Sequence, residues 1–167
     1  MKKRRINALD LIQRIEKLAR ERVTSQEVVA IDAYRTLKNR FNPKVILVIE
    51  DDENMQKLMA RIFPDNEGFE VRMASDGTAL TSILDEITPD IILMDIGLPW
   101  INGYELTELI KSHREMKHIP IVMVSGHTQE EDIKRAFQVG ADEFIQKPFD
   151  IEQLKQTVTR LLKLQDR

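Results

Sequence analysis

The stretch ILVIEDDEN occupies residues 46–54. With Val45 in front of it, a run of five apolar residues meets four acids among the next five positions. An apolar run of this length, bounded by polar residues, suits a strand covered on both faces. The acids that follow have no basic neighbour in the local sequence. Either they form a solvated turn, or something positive sits among them.

The same alternation continues down the chain. Apolar runs at Val45–Ile49, Val71–Ala74, Ile91–Met94, Ile119–Val124 and Phe144–Ile145 are separated by amphipathic stretches near 54–63, 78–87, 103–113, 129–139 and 151–164. Thr128 with Glu131, and Asp150 with Gln153, have capping-box spacing. Five strand–helix units in a row predict an α/β fold with a five-stranded, parallel, doubly wound sheet and helices on both faces.

The bulk numbers agree. The chain has 167 residues, 42% hydrophobic and 32% charged, which fits a folded domain plus an appendage. No apolar run approaches the ~18 residues that span a membrane. The basic start MKKRR leads into an amphipathic segment without a small-residue cleavage site, so no secretory signal is read. Asp10, Glu16 and Glu21 argue against a mitochondrial presequence. Without cysteine there are no disulfides and no thiolate chemistry, and a reducing cytoplasm is the default.

Charge is unevenly spread. Residues 1–43 hold 11 of the 25 Lys/Arg and 5 of the 28 Asp/Glu, a net of +6, against −9 for the rest. Such a split suggests two pieces with different jobs, a basic extension over 1–43 and a domain over 44–167, divided at Asn42–Pro43. In the extension, Ala8, Leu11, Ile12, Ile15, Leu18 and Ala19 recur at helical spacing. Thr24 with Glu27 offers a second cap, and Ile31, Tyr34, Leu37 and Phe41 line a second helix. The expectation is a helical hairpin that packs on something, because two short helices bury little alone. Docking on the acidic domain, homodimerisation through residues 5–41, and nucleic-acid or anionic-membrane binding all remain open for it.

In a parallel α/β sheet, ligands bind at the carboxyl ends of the strands. The first run ends in Glu50, Asp51 and Asp52, the third in Asp95, the fourth in Ser125 and the fifth in Lys147 followed by Pro148. Clustered carboxylates form a hard-oxygen site suited to Mg²⁺, which takes one or two protein carboxylates and keeps several waters. Without a cation the cluster would raise at least one pKa. Such a site could move a phosphoryl group onto one carboxylate.

These residues resemble the receiver domain of two-component response regulators over roughly 44–164. ILVIEDDEN is similar to its acid-pair strand, and DIILMDIGLPWING to its phosphoacceptor strand and loop. IPIVMVSG is similar to the strand ending in the switch hydroxyl, and GADEFIQKPF to the strand carrying the lysine. The resemblance implies a flavodoxin-like sheet and a phosphorylation-activated switch, not an enzyme acting on other molecules. Asp95 would accept the phosphoryl group from a histidine kinase or phosphotransfer protein. Asp51 would bind Mg²⁺ directly, Glu50 would act through water or as second acid, and the Gly97 backbone carbonyl would be a third ligand. Ser125 and Lys147 would hold phosphoryl oxygens. Ser125 and Phe144 would move together to remodel a surface read by a downstream protein. Glu50 stands where aspartate is more usual and Gly126 where alanine is common. Gly97 and His127 stand at positions that bear on phosphate lifetime.

Two other classes compete. A haloacid-dehalogenase-type phosphatase would want an Asp-x-Asp pair at the first strand, and Asp51 with Glu53 only approximates one. A nucleic-acid-binding regulator would act through the basic extension, yet a helix-turn-helix needs a third packed helix. The leading expectation is a stand-alone receiver with an N-terminal extension and no C-terminal effector. Trp100 is either a loop anchor or a partner contact. Pro99 and Gly103 read as loop geometry, and His113 and His118 as surface.

Overall fold

A computed structural model describes residues 42–126 and 129–165. The hairpin expected over 5–41, with its Thr24–Glu27 cap and proposed dimer face, lies outside the described residues, as does His127. Five parallel strands form one sheet: β1 (Lys44–Ile49), β2 (Phe69–Ala74), β3 (Ile91–Met94), β4 (Ile121–Ser125) and β5 (Glu143–Gln146). Their spatial order is β2-β1-β3-β4-β5. Helices α1 (Glu53–Ile62), α2 (Gly77–Glu86), α3 (Gly103–Ser112), α4 (Glu130–Gln138) and α5 (Ile151–Gln165) connect and follow them.

Period-two alternation along buried strands builds a core on each face. Ile46, Val48, Ile91, Leu93, Val122 and Val124 face one way, under α1 and α5 residues such as Met59, Ile62, Leu154 and Val158. Leu47, Ile49, Ile92, Met94 and Ile121 face the other, under Leu80, Ile83, Leu106 and Ile110 of α2 and α3. A smaller cluster joins Ile96, Tyr104 and Met123 to Ala136 of α4. The apolar runs therefore read as near-continuous because both sides are covered.

Helix starts follow local chemistry. Asp52, Asp76 and Asn102 are N-caps whose side chains accept backbone N–H groups of Met55, Ala79 and Tyr104. Asp150 accepts from the Gln153 N–H at 2.9 Å, as its spacing predicts. α4 instead takes Gln129 as N-cap with no side-chain bond, one residue beyond the start that Thr128 and Glu131 predict; Thr128 lies outside the described residues. The end of α4 is a Schellman motif: the Ala141 N–H donates to the Ala136 carbonyl and the Gly140 N–H to that of Phe137. Gly140 has φ of 102°, so glycine suits this turn.

Two strand starts differ from expectation by two residues, the other ends by one or none. β2 starts at Phe69, not Val71, because Phe69 packs edge-on against Phe63, ring centroids 5.4 Å apart. Its polar residues hide this half-buried edge strand from an apolar-run reading. β4 starts at Ile121, not Ile119, since Pro120 has no N–H for the ladder and only accepts, from Ile92.

Candidate functional site

β1 and β3 are neighbours, with Ile49 opposite Met94. The next residues, Glu50 and Asp95, therefore leave the sheet side by side. The Asp95 N–H donates to the Ile49 carbonyl at 3.0 Å, extending the ladder to the phosphoacceptor candidate itself. β4 and β5 pair with Ser125 opposite Gln146, and the Lys147 N–H donates to the Ser125 carbonyl at 2.8 Å. Four strand ends thus gather at one edge.

Lys147 Nζ lies 2.7 Å from Glu50 Oε2 and 3.4 Å from Asp95 Oδ2. Oxygens of Glu50, Asp51 and Asp95 all lie within 4.8 Å of one another. With Asp52, Asn54, Met55, Leu58 and Lys147 they line a cleft of about 450 Å³. Glu50 is buried, Asp51 exposed and Asp95 intermediate. Ser125 is fully buried and Gly97 is exposed on the loop after Asp95. Phe144 is half-buried and packs with Ile96, Tyr104, Met123 and Ala136, away from the acids.

The charges explain the titration. Burial pushes the Glu50 carboxyl up, although its hydrogen bond to Lys147 opposes this. Burial also acts to lower Lys147, but the bond to Glu50 and the field of Asp95 outweigh it and hold the ammonium above its ordinary value. Both partners of one ion pair shift upward for different reasons: burial of the glutamate outweighs its bond to the ammonium, and the two carboxylates of Glu50 and Asp95 outweigh burial of the lysine. Below the usual carboxylate value both folded and unfolded chains hold the Glu50 proton. Above it the unfolded chain loses that proton first, so folding loses stability as pH rises through the raised value. Glu50→Gln removes this slope. Melting curves from pH 4.5 upward, without divalent cation, are expected to shift in favour of the variant as pH rises.

Asp52 does not belong with the other acids. Its Oδ1 accepts the Met55 N–H at 2.8 Å, so it caps α1 at the cleft edge and is not one of the three acids whose oxygens gather. Asp52→Ala is expected to cost about 1 kcal/mol of stability, while Asp52→Asn keeps both the cap and the affinity for a divalent cation. Denaturant melts and a metal titration check the pair.

Trp100 is a loop anchor. Its Nε1 donates to the Ser75 carbonyl at 3.2 Å, and its ring lies 3.3 Å from where a Cβ on Gly77 would sit. Gly103 is a close approach: a Cβ there would meet the Asp95 carbonyl oxygen at 2.5 Å and Ile96 Cα at 2.7 Å. Tyr104 beside it donates to the Asp132 carbonyl at 3.2 Å, with Arg135 over its ring at 4.6 Å. These ties hold the loop that follows Asp95, and Tyr104 carried no advance signal. His113 and His118 are exposed, outside the cleft.

The oxygen set fits a hard divalent ion. Asp51 makes no hydrogen bond or ion pair among the described residues, and one ammonium does not neutralise three acids. Residues 46–159 match the family model described as the response regulator receiver domain. The chain belongs to that family.

This receiver is 32% identical over 120 residues to the polar-differentiation response regulator DivK of Brucella anthropi, a match covering 72% of this chain and 97% of DivK. It is 30% identical to the regulatory protein AtoC of Escherichia coli over 72% of this chain, but that match spans only 25% of AtoC. Among solved structures, a response regulator receiver domain protein (CheY-like) from Methanospirillum hungatei matches at 31% identity and a TM-score of 0.65, over 74% of this chain and 97% of that one. The receiver domain of sensor histidine kinase PA1611 from Pseudomonas aeruginosa, solved with magnesium in its active site cleft, matches at 25% identity and a TM-score of 0.64, over 72% of this chain and 98% of that one. Membership makes the chain a phosphorylation-based signalling receiver of a two-component system, a switch and not a classical enzyme. Glu53, the second acid of the phosphatase alternative, is exposed and pairs with Lys57 at 3.3 Å. No helix among the described residues is long and apolar enough to cross a membrane.

Proposed function

We propose that Asp95 is the phosphoacceptor and that Mg²⁺ supports the transfer. The observation that carries this is Lys147 Nζ bridging Glu50 and Asp95 beside the unpaired Asp51. An Asp95 oxygen attacks phosphorus on a phosphohistidine of a kinase or phosphotransfer protein. The new O–P bond forms as the P–N bond breaks, and the imidazole leaves with the electron pair. Asp51, Asp95 and the Gly97 carbonyl would hold Mg²⁺, with Glu50 acting through water or as a second acid. The bound ion supplies neutralisation of charge on the phosphoryl oxygens.

Lys147 shifts from the carboxylates toward the phosphoryl group as a point charge, and the Ser125 hydroxyl takes another phosphoryl oxygen. Ser125 is buried at the end of β4, so such a movement would act through that strand end. Phe144 follows Ser125 by turning inward, and a downstream protein reads the remodelled surface. The basic extension, whether as dimer face or nucleic-acid contact, enters none of these steps.

Incubating the protein with acetyl phosphate is the test. Label is expected only with Mg²⁺, and hydroxylamine should release it as inorganic phosphate, as it does from an acyl phosphate. Asp51→Asn should raise the Mg²⁺ concentration needed. Label that forms equally well in a chelator, or that survives hydroxylamine, defeats the reading.

A further inference from the structure

Four hydrogen bonds wind the chain between the end of β1 and the second turn of α1. The Asp52 N–H donates to Glu50 Oε1 at 3.2 Å, and the Met55 N–H to Asp52 Oδ1 at 2.8 Å. The Gln56 N–H donates to the Asp52 carbonyl at 3.0 Å. Finally, Gln56 Nε2 reaches back six residues and donates to the Glu50 carbonyl at 2.6 Å. The first three are what a capped helix following a turn supplies. The fourth is not, because a helix needs no side-chain bond to the strand before it.

Its position has a consequence. The Glu50 N–H is held by the Ala74 carbonyl at 3.1 Å, and Glu50 Oε2 by Lys147. Gln56 secures the remaining polar group of that residue, so the Glu50–Asp51 peptide plane cannot turn. Asp51 is the next residue, and the orientation of that plane sets where its Cα–Cβ bond points. Its carboxylate is exposed and makes no hydrogen bond or ion pair among the described residues. No described contact aims the side chain, which leaves the backbone to set the direction of its Cα–Cβ bond toward the cleft it lines.

We propose that Gln56 is a positioning residue for divalent-cation binding: it clamps the Glu50 carbonyl and thereby directs the Asp51 carboxylate into the acidic cleft. The proposal rests on the reading of that cleft as a Mg²⁺ site. Groups that hold a ligand without touching the ion change metal affinity by about 10–100-fold.

Calorimetric titration of the full chain with MgCl₂ tests it without any phosphodonor. Gln56→Met keeps length and removes the donor, and its Mg²⁺ dissociation constant is expected to rise about tenfold. Gln56→Arg restores a donor and is expected to recover most of the affinity. Wild-type affinity in Gln56→Met overturns the proposal. So does equal weakness in both variants, because side-chain packing and not the donated proton would then be at work. Asp51→Asn is the separating control. If it binds Mg²⁺ as the wild type does, the metal reading itself falls, and the role of Gln56 falls with it.

Discussion

Asp95→Asn is expected to abolish phosphoryl incorporation from acetyl phosphate. The amide nitrogen has its lone pair in resonance, and the amide oxygen lacks the full negative charge that attacks phosphorus. The other carboxylates do not stand in for it. Glu50 has Oε1 held by the Asp52 N–H and Oε2 by Lys147, and Asp52 is committed to capping α1. Asp51 has no partner among the described residues and would be committed to the metal. The substitution keeps shape and leaves the Asp95 N–H bond to Ile49 intact, so the fold should survive. The loss of the 3.4 Å contact to Lys147 is offset by relief of one like charge among three. Near-UV circular dichroism should match the wild type while labelling falls to background. Retained label on a folded variant would remove Asp95 from its role.

Gly103→Ala is expected to damage both stability and phosphorylation. The added Cβ would sit 2.5 Å from the Asp95 carbonyl oxygen and 2.7 Å from Ile96 Cα. Both obstacles are backbone, so no rotamer change relieves the clash. Either α3 withdraws, breaking the 3.0 Å bond from the Gly103 N–H to the Ile96 carbonyl, or the strand end carrying Asp95 shifts. Overpacking of this kind costs about 1–3 kcal/mol, which lowers the melting temperature by about 5–15 °C. Displacing a reacting group by about 1 Å costs up to a hundredfold in rate. Thermal melts and a labelling time course measure the two effects. A variant that melts and labels like the wild type would show that the approach at Gly103 is not limiting. Gly126 is the contrast, with nothing within 4 Å of where its Cβ would go.

The two glycines show what a sequence hides. Gly103 reads as loop geometry and Gly126 as a departure from a common alanine, and only the packing of α3 against the end of β3 shows which of them has no room for a side chain. Asp52 makes the same point among the acids. In sequence it continues Glu50 and Asp51, but three residues later α1 needs a cap, and the Met55 N–H claims its carboxylate. Gln56 and Tyr104 carry no signal in the sequence, because each acts through a backbone or side-chain partner brought near by packing.

The amino-acid order alone determined the five-strand α/β architecture, the helices to within about a residue, and which side chains leave the strand ends. Those follow from local periodicity, since a strand covered on both faces must be apolar throughout and a helix covered on one face must repeat every turn. The tertiary structure decided which of the acids bring their oxygens together and which caps a helix. It alone placed Lys147 on Glu50, 97 positions away, by setting β1 between β2 and β3 and pairing β4 with β5. Contacts at that separation depend on strand order and register, which local patterns constrain but do not specify.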